Sequence, residues 1–149
     1  MRMIRRWLVL ILPVWIVTGC HSGPDSALPG DSDDHAPFHG IDDGDSIHLI
    51  GTEPFWGGSI AKDKLTYTTP ENPKGNVIQV SRFAGRGGLS YSGELNGSAL
   101  TLAVTPGTCS DGMSDRAYPF AATLRIGEKL RQGCAWTGTL APTNTDPAN

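Results

Sequence analysis

Two stretches of the chain crowd together residue types that can do chemistry. The first, Gly51-Thr52-Glu53-Pro54-Phe55-Trp56-Gly57-Gly58, sets a carboxylate beside two aromatic rings between glycines. The second, Cys109-Ser110-Asp111-Gly112-Met113-Ser114-Asp115-Arg116-Ala117-Tyr118-Pro119-Phe120, is a long polar connection carrying two aspartates and an arginine. Should Asp111, Asp115 and Glu53 meet, two neighbouring acids can divide into a proton donor and a base or nucleophile for cleaving a glycosidic bond. The same oxygens could ligate calcium, with Gly112 allowing a sharp turn, but an Asp-x-x-x-Asp spacing lacks the regular alternation of a calcium loop. A plainer role ranks first: Ser and Asp side chains bond their own backbone in long turns, and Arg116 pairs with Asp111 or Asp115 to brace the loop. Binding of a ligand or partner ranks next, and catalysis last.

Other candidates are weaker. Residues 82 to 88, Arg-Phe-Ala-Gly-Arg-Gly-Gly, have the glycine content of a phosphate loop. No helix follows to supply the positive dipole end that such a site uses. Arg82 and Arg86 are instead expected to flank a strand connection and to meet Glu53 or Asp111. Phe55 and Trp56 are expected to plug a core rather than to form a ligand platform. The four histidines stand at 21, 35, 39 and 48, so no Ser, His and Asp set can be assembled with the later part of the chain. They interleave with aspartates, which admits weak metal capture, yet no helical or tight-turn spacing fixes a coordination geometry. No metal site and no cofactor is expected.

These residues need elements to position them. Beyond Ser46 the sequence runs in short alternating stretches broken by turn residues, the period of half-buried strands. Leu89, Tyr91, Gly93 and Leu95 alternate with Ser90, Ser92 and Glu94, and Asn96-Gly97 follows. Then Leu100, Leu102 and Val104 share one face. Asn-Gly between alternating runs is a strong hairpin signal, because both central positions of a type I′ turn need positive φ. The same pattern predicts strands near 48–52, 57–61, 64–69, 76–83, 119–126 and 129–136. The last two form a hairpin about Gly127-Glu128, with Phe120, Ala122, Leu124 and Ile126 facing Leu130, Gln132 and Cys134. About eight strands and no helix make an all-β domain over 47–140, a small antiparallel barrel in preference to a sandwich, since closure removes exposed edges. Residues 141–149 read as a frayed tail.

The amino terminus reads as an address. Arg2, Arg5 and Arg6 precede an apolar run from Trp7 to Val17, then Thr18 and Gly19. The run is about half of the roughly 20 residues that span a bilayer, so residues 1–19 are a secretion signal. Val17-Thr18-Gly19-Cys20 resembles the bacterial lipobox. That resemblance implies cleavage before Cys20 and lipid on its thiol and new amino group, several acyl chains being needed for a stable anchor. His21 in place of Asp favours the outer membrane, by the same resemblance to lipoprotein sorting. With Cys20 lipidated, Cys109 and Cys134 remain as a pair in an oxidising compartment, where a disulfide is the default. It closes a loop of about 25 residues and contributes roughly 3 kcal/mol on the chain-entropy model.

Residues 20–46 form the rest of the amino-terminal region. From His21 to Ser46 there are seven aspartates, no Lys or Arg, three prolines and four glycines, a composition expected to stay a flexible acidic tether. The domain from Ile47 to Leu140 holds nine basic and seven acidic residues and is nearly neutral, which argues against a nucleic-acid partner.

The chain also resembles a family of uncharacterised bacterial envelope lipoproteins and periplasmic domains. Its markers are Gly-Thr-Glu-Pro-Phe-Trp at 51–56, Arg82, Phe83 and Gly85, the 109–120 loop, and Gly-Cys-Ala at 133–135. The resemblance spans residues 50 to 136 and implies an envelope location, but no activity. The expected function is therefore a lipid-anchored, non-catalytic binding or structural module. Any binding mouth is expected at Glu53, Trp56, Arg82, Arg86, Asp111, Asp115 and Arg116, with an envelope protein as partner. By analogy of architecture that partner could be a lysozyme, with the charged loop presented to its cleft. A cell-wall glycan hydrolase using paired carboxylates is the alternative, and metal capture by the tether a minor one.

Overall fold

The computed structural model describes residues 36–144. The signal segment 1–19, Cys20, the tether as far as residue 35, and residues 145–149 lie outside the described residues. Eight strands make the body: β1 (Ile47–Thr52), β2 (Phe55–Ala61), β3 (Lys64–Thr69), β4 (Asn72–Gly85), β5 (Gly88–Leu95), β6 (Ser98–Ser110), β7 (Arg116–Ile126) and β8 (Lys129–Thr137). Each pairs antiparallel with the next, and β8 returns to β1 through Ile47↔Thr137 and Ile50↔Cys134, closing the barrel.

The alternation seen in the sequence is what fills it. Leu49, Ile60, Leu65, Tyr67, Val80, Leu89, Tyr91, Leu100, Leu102, Val104, Phe120 and Leu124 all face one shared core. At eight strands the interior is just wide enough for side chains to fill. The β5–β6 turn has the predicted chemistry, with φ of 52° at Asn96 and 77° at Gly97. Gly127-Glu128 likewise turns β7 into β8, through the pair Ile126↔Lys129.

Three features depart from expectation. First, β8 is turned over relative to its predicted face. Phe120, Ala122 and Leu124 are paired with Ala135, Gly133 and Arg131, so these and not Cys134, Gln132 and Leu130 share the inner face. Leu130 is 53% exposed, and Cys134, although fully buried, lies on the outer wall. The reason is Trp56. Its ring crosses the interior where a side chain on Gly51 or Gly133 would collide with it, and its Nε1 donates to the Gln132 carbonyl at 3.0 Å.

Second, the stretch expected to be free tether up to Ser46 is packed where it is described. Ile41 is 3% exposed in the core, and the Phe38 ring meets Phe120 edge-on at 6.4 Å. The Phe38 amide donates to the Gly85 carbonyl at 2.7 Å. Arg82 pairs with Asp43 at 2.6 Å and donates to the Ile41 carbonyl at 3.3 Å. Asp45 accepts from the Thr139 hydroxyl at 3.1 Å, beyond the end of β8. Residues 38–45 thus form a strap across one barrel end, and two apolar side chains suffice to seat it.

Third, β6 and β7 run on past the barrel. After Pro106↔Phe120 the register shifts, and the pairs Cys109↔Tyr118 and Ser110↔Ala117 continue the hairpin. A short strand β9 (Thr143–Asn144) adds to its edge at Arg116 and Ala117, so the part of the tail that is described is paired rather than frayed.

Candidate functional site

The extended β6–β7 hairpin folds onto the outside of the barrel. Its covalent tie is the disulfide from Cys109 to Cys134, with Cα atoms 5.7 Å apart, as the sequence predicts. Cys134 pairs with Ile50 and Ala121 on the wall, so the bridge pins the hairpin over β1, β7 and β8. A second tie comes from Thr52, whose hydroxyl donates to the Asp111 carbonyl at 2.9 Å. At the hairpin's foot Tyr118 lies against Trp136, ring centroids 5.4 Å apart, and His48 stacks on the same indole at 5.3 Å.

Between the pinned tip and the wall runs a groove of about 540 Å³. Thr52, Glu53, Ser110, Asp111, Thr123 and Gln132 supply its polar lining. Glu53 is exposed on the β1–β2 turn and, among the described residues, makes no hydrogen bond or ion pair. The groove walls hold no lysine or arginine, so its rim is acidic.

The tip itself is a cage built on one carboxylate. Asp111 Oδ1 accepts from the Met113 amide at 3.0 Å and the Ser114 amide at 2.8 Å. Its Oδ2 accepts from the Ser114 hydroxyl at 2.8 Å and the Tyr118 hydroxyl at 2.9 Å. A carboxylate that accepts several such bonds favours its charged form. The Met113 amide first, then the amide and hydroxyl of Ser114, hold the Asp111 carboxyl far below the usual carboxylate range. Burial, and then the Asp111 carboxylate beside it, push the Tyr118 hydroxyl up.

A pH prediction follows with a definite sign. Because the folded pKa of Asp111 is depressed, its contribution to tip order is fully present above the unfolded carboxyl value of about 4 and is lost only as pH falls below it. The Ser114 amide resonance should therefore hold its folded position from neutral pH down through about pH 4, where ordinary carboxylates titrate. An inflection near that ordinary value would show that the cage is not formed.

The expected mouth comes apart in the structure. Glu53 and Asp111 do flank one groove. Trp56 does not reach it, being 4% exposed inside the barrel, where it acts as the plug expected of it, whereas Phe55, expected to plug the core beside it, is 52% exposed. Arg82 is engaged by Asp43 and the Ile41 carbonyl at the strap end and not by Glu53 or Asp111, and Arg86 stands on the β4–β5 turn at that same end. Asp115 and Arg116 lie at the tip and at the start of β7, exposed. Sequence reasoning missed Met113, which the cage holds 69% exposed at the apex, and Thr52. It also missed Arg131, half-buried on the inner face of β8, whose Nε has no hydrogen-bond partner among the described residues.

Compared with family models, curated proteins and solved structures, the chain matches none of them.

Proposed function

We propose that this is a lipid-anchored, non-catalytic binding module of the bacterial cell envelope, whose reading head is the β6–β7 hairpin, and that its partner is a protein. The observation that carries the reading is the state of the tip. A protruding turn is fixed by an internal carboxylate cage and a disulfide, and it displays a large apolar side chain, Met113, to solvent. Ordering a loop before binding removes an entropic cost that the complex would otherwise bear, about 0.5–1.5 kcal/mol for each immobilised flexible side chain. Methionine is an adaptable apolar contact, suited to a cleft on another protein.

The anchor is Cys20. With the strap seated from Phe38 onward, seventeen residues (21–37) separate the lipid from the strap. Fully extended, they reach at most about 65 Å, so the head works near the membrane surface. The hydrolase reading is less well supported. It needs two carboxyl groups free to face a substrate, whereas both oxygens of Asp111 are engaged by donors inside the tip.

The test is capture of envelope proteins by purified full-length protein carrying its native tip, compared with Met113→Asp. Placing a charge at the apex should cut capture of the specific partner by about tenfold or more, as loss of a central anchor does. Equal capture by both forms would remove the head from the hairpin. Lysozyme is one candidate among proteins with a cleft, and absence of binding to any lysozyme removes that version only.

A further inference from the structure

The geometry points to the bond between Cys109 and Cys134 as a redox latch that holds the hairpin on the barrel wall and, when reduced, lets it come away and loosen. This rests on the hairpin being the binding head, and it assigns that head a means of control. Three observations carry it. The bridge is asymmetric, because Cys134 is fully buried whereas Cys109 is only half-buried beside the groove. Beyond the bulge the hairpin has only two pairs of its own, Cys109↔Tyr118 and Ser110↔Ala117, and the Asp111 cage, so much of its hold comes from the bridge to the wall. A hinge is present, because β6 spends one residue more than β7 between Pro106 and Cys109, and Pro106, Gly107 and Thr108 are all exposed. Gly107 there has φ of 152°, a backbone setting that other residues rarely adopt.

The barrel below the hinge keeps its closure without the bridge. Seven β6–β7 pairs from Leu100↔Ile126 to Pro106↔Phe120 precede the hinge, and the β7–β8 and β8–β1 ladders are backbone pairs that do not use the bridge. Reduction therefore unlocks the tip without opening the core. The thiolate of a dithiol reductant attacks the accessible Cys109 sulfur, forming a mixed disulfide. The bond to Cys134 breaks, and Cys134 leaves with the electron pair and takes a proton. The second thiol of the reductant then attacks its own linked sulfur and closes a disulfide within the reductant. Cys109 is released and protonated. Two electrons and two protons have passed from the dithiol to the cysteine pair.

Hydrogen exchange on the full-length protein, before and after dithiothreitol, tests this. Amides of 109–118 should exchange about tenfold faster after reduction, while those of β1, β5 and the barrel part of β6 change by less than about twofold. Removing the dithiothreitol and reoxidising should restore slow exchange. Thr52→Val should add a further acceleration in the reduced form, where its hydrogen bond to the Asp111 carbonyl is what still holds the tip while Tyr118 on Trp136 holds the foot, and little in the oxidised form. Unchanged hairpin exchange on reduction overturns the latch. So does fast exchange throughout the barrel, which would make the bridge a staple of the whole fold. Exchange reads the latch alone and capture through Met113 reads the binding head, so failure of either is seen separately.

Discussion

Gly133→Ala should destabilise the protein by about 3 kcal/mol or more, at the upper end of the usual cost of overpacking, and lower its melting temperature by on the order of 10 °C. A Cβ there would stand 2.2 Å from the Ile50 carbonyl oxygen and 2.9 Å from the Trp56 ring. The first neighbour is backbone in a paired strand and cannot yield without parting β1 from β8. The second is the plug itself, pinned by its bond to the Gln132 carbonyl. The matched control is Gly87→Ala, where a Cβ meets nothing within 4 Å and the backbone needs no left-handed conformation. It should be neutral or slightly stabilising, because alanine restricts the unfolded chain more than glycine does. Thermal unfolding of the two variants side by side checks the pair. Equal stability would mean that Trp56 does not fill the barrel over Gly133.

The second large effect falls on the tip. Asp111→Ala takes the acceptor from the Met113 and Ser114 amides and from the Ser114 and Tyr118 hydroxyls together. The amides and the Ser114 hydroxyl are exposed to water and re-solvate, so the barrel should keep its fold. The turn loses its reason to hold one shape, and amide exchange at 112–114 should rise by about tenfold or more. Capture of a partner should fall with it, because the ordering that the cage supplied in advance must now be met on binding. Asp111→Asn should be intermediate, keeping one carbonyl acceptor while losing the charge that strengthens these bonds. Hydrogen exchange on the three proteins ranks them, and a wild-type tip in Asp111→Ala would show that the cage does not set the conformation.

Much of the barrel is legible in the sequence because its signals are local. Alternation at 89–95 and 100–104 marks an inner face, and Asn96-Gly97 supplies the turn chemistry between them. The disulfide follows from cysteine bookkeeping. The face of β8 is not legible in the same way, because hydrophobicity misleads there. Leu130, Cys134 and Trp136 are the larger apolar members of the strand, yet they lie outside, and only the small Ala135 faces the core. The inner positions Gly133 and Ala135 are small, and at Gly133 a tryptophan from β2 already occupies the space. The outer Cys134 is buried only once the hairpin lies over it.

The strap escapes a reading by composition for a related reason. Seven aspartates and several glycines dominate the average over 21–46, while Phe38 and Ile41 do the packing. The hairpin's true length is hidden by Pro106, Gly107 and Pro119, which read as breakers and mark a bulge and a strand edge instead. Of the expected mouth, Glu53 and Asp111 do share a groove, but Arg82 and Arg86 stand by the strap end. Residues far apart in sequence can be assigned to one site only when the barrel's ends are known.

The strap also orders one end of the barrel. Asp43 and the Ile41 carbonyl hold Arg82 at the β4 end of the barrel, next to the turn carrying Arg86. From Phe38 onward the described chain is therefore already packed before β1 begins, and the proposed binding head stands on the same barrel.

The most direct test places a photoreactive phenylalanine analogue at Met113 of the full-length protein in intact envelopes, with the same analogue at Val77 as reference. Val77 is 67% exposed and lies on β4, four strands round the barrel from β8. A discrete cross-linked partner at 113, absent at 77 and reduced by Asp111→Ala, is the predicted result. Cross-links of the same pattern and yield from both positions, or a partner joined only at 77, would contradict the assignment of the β6–β7 hairpin as the binding head.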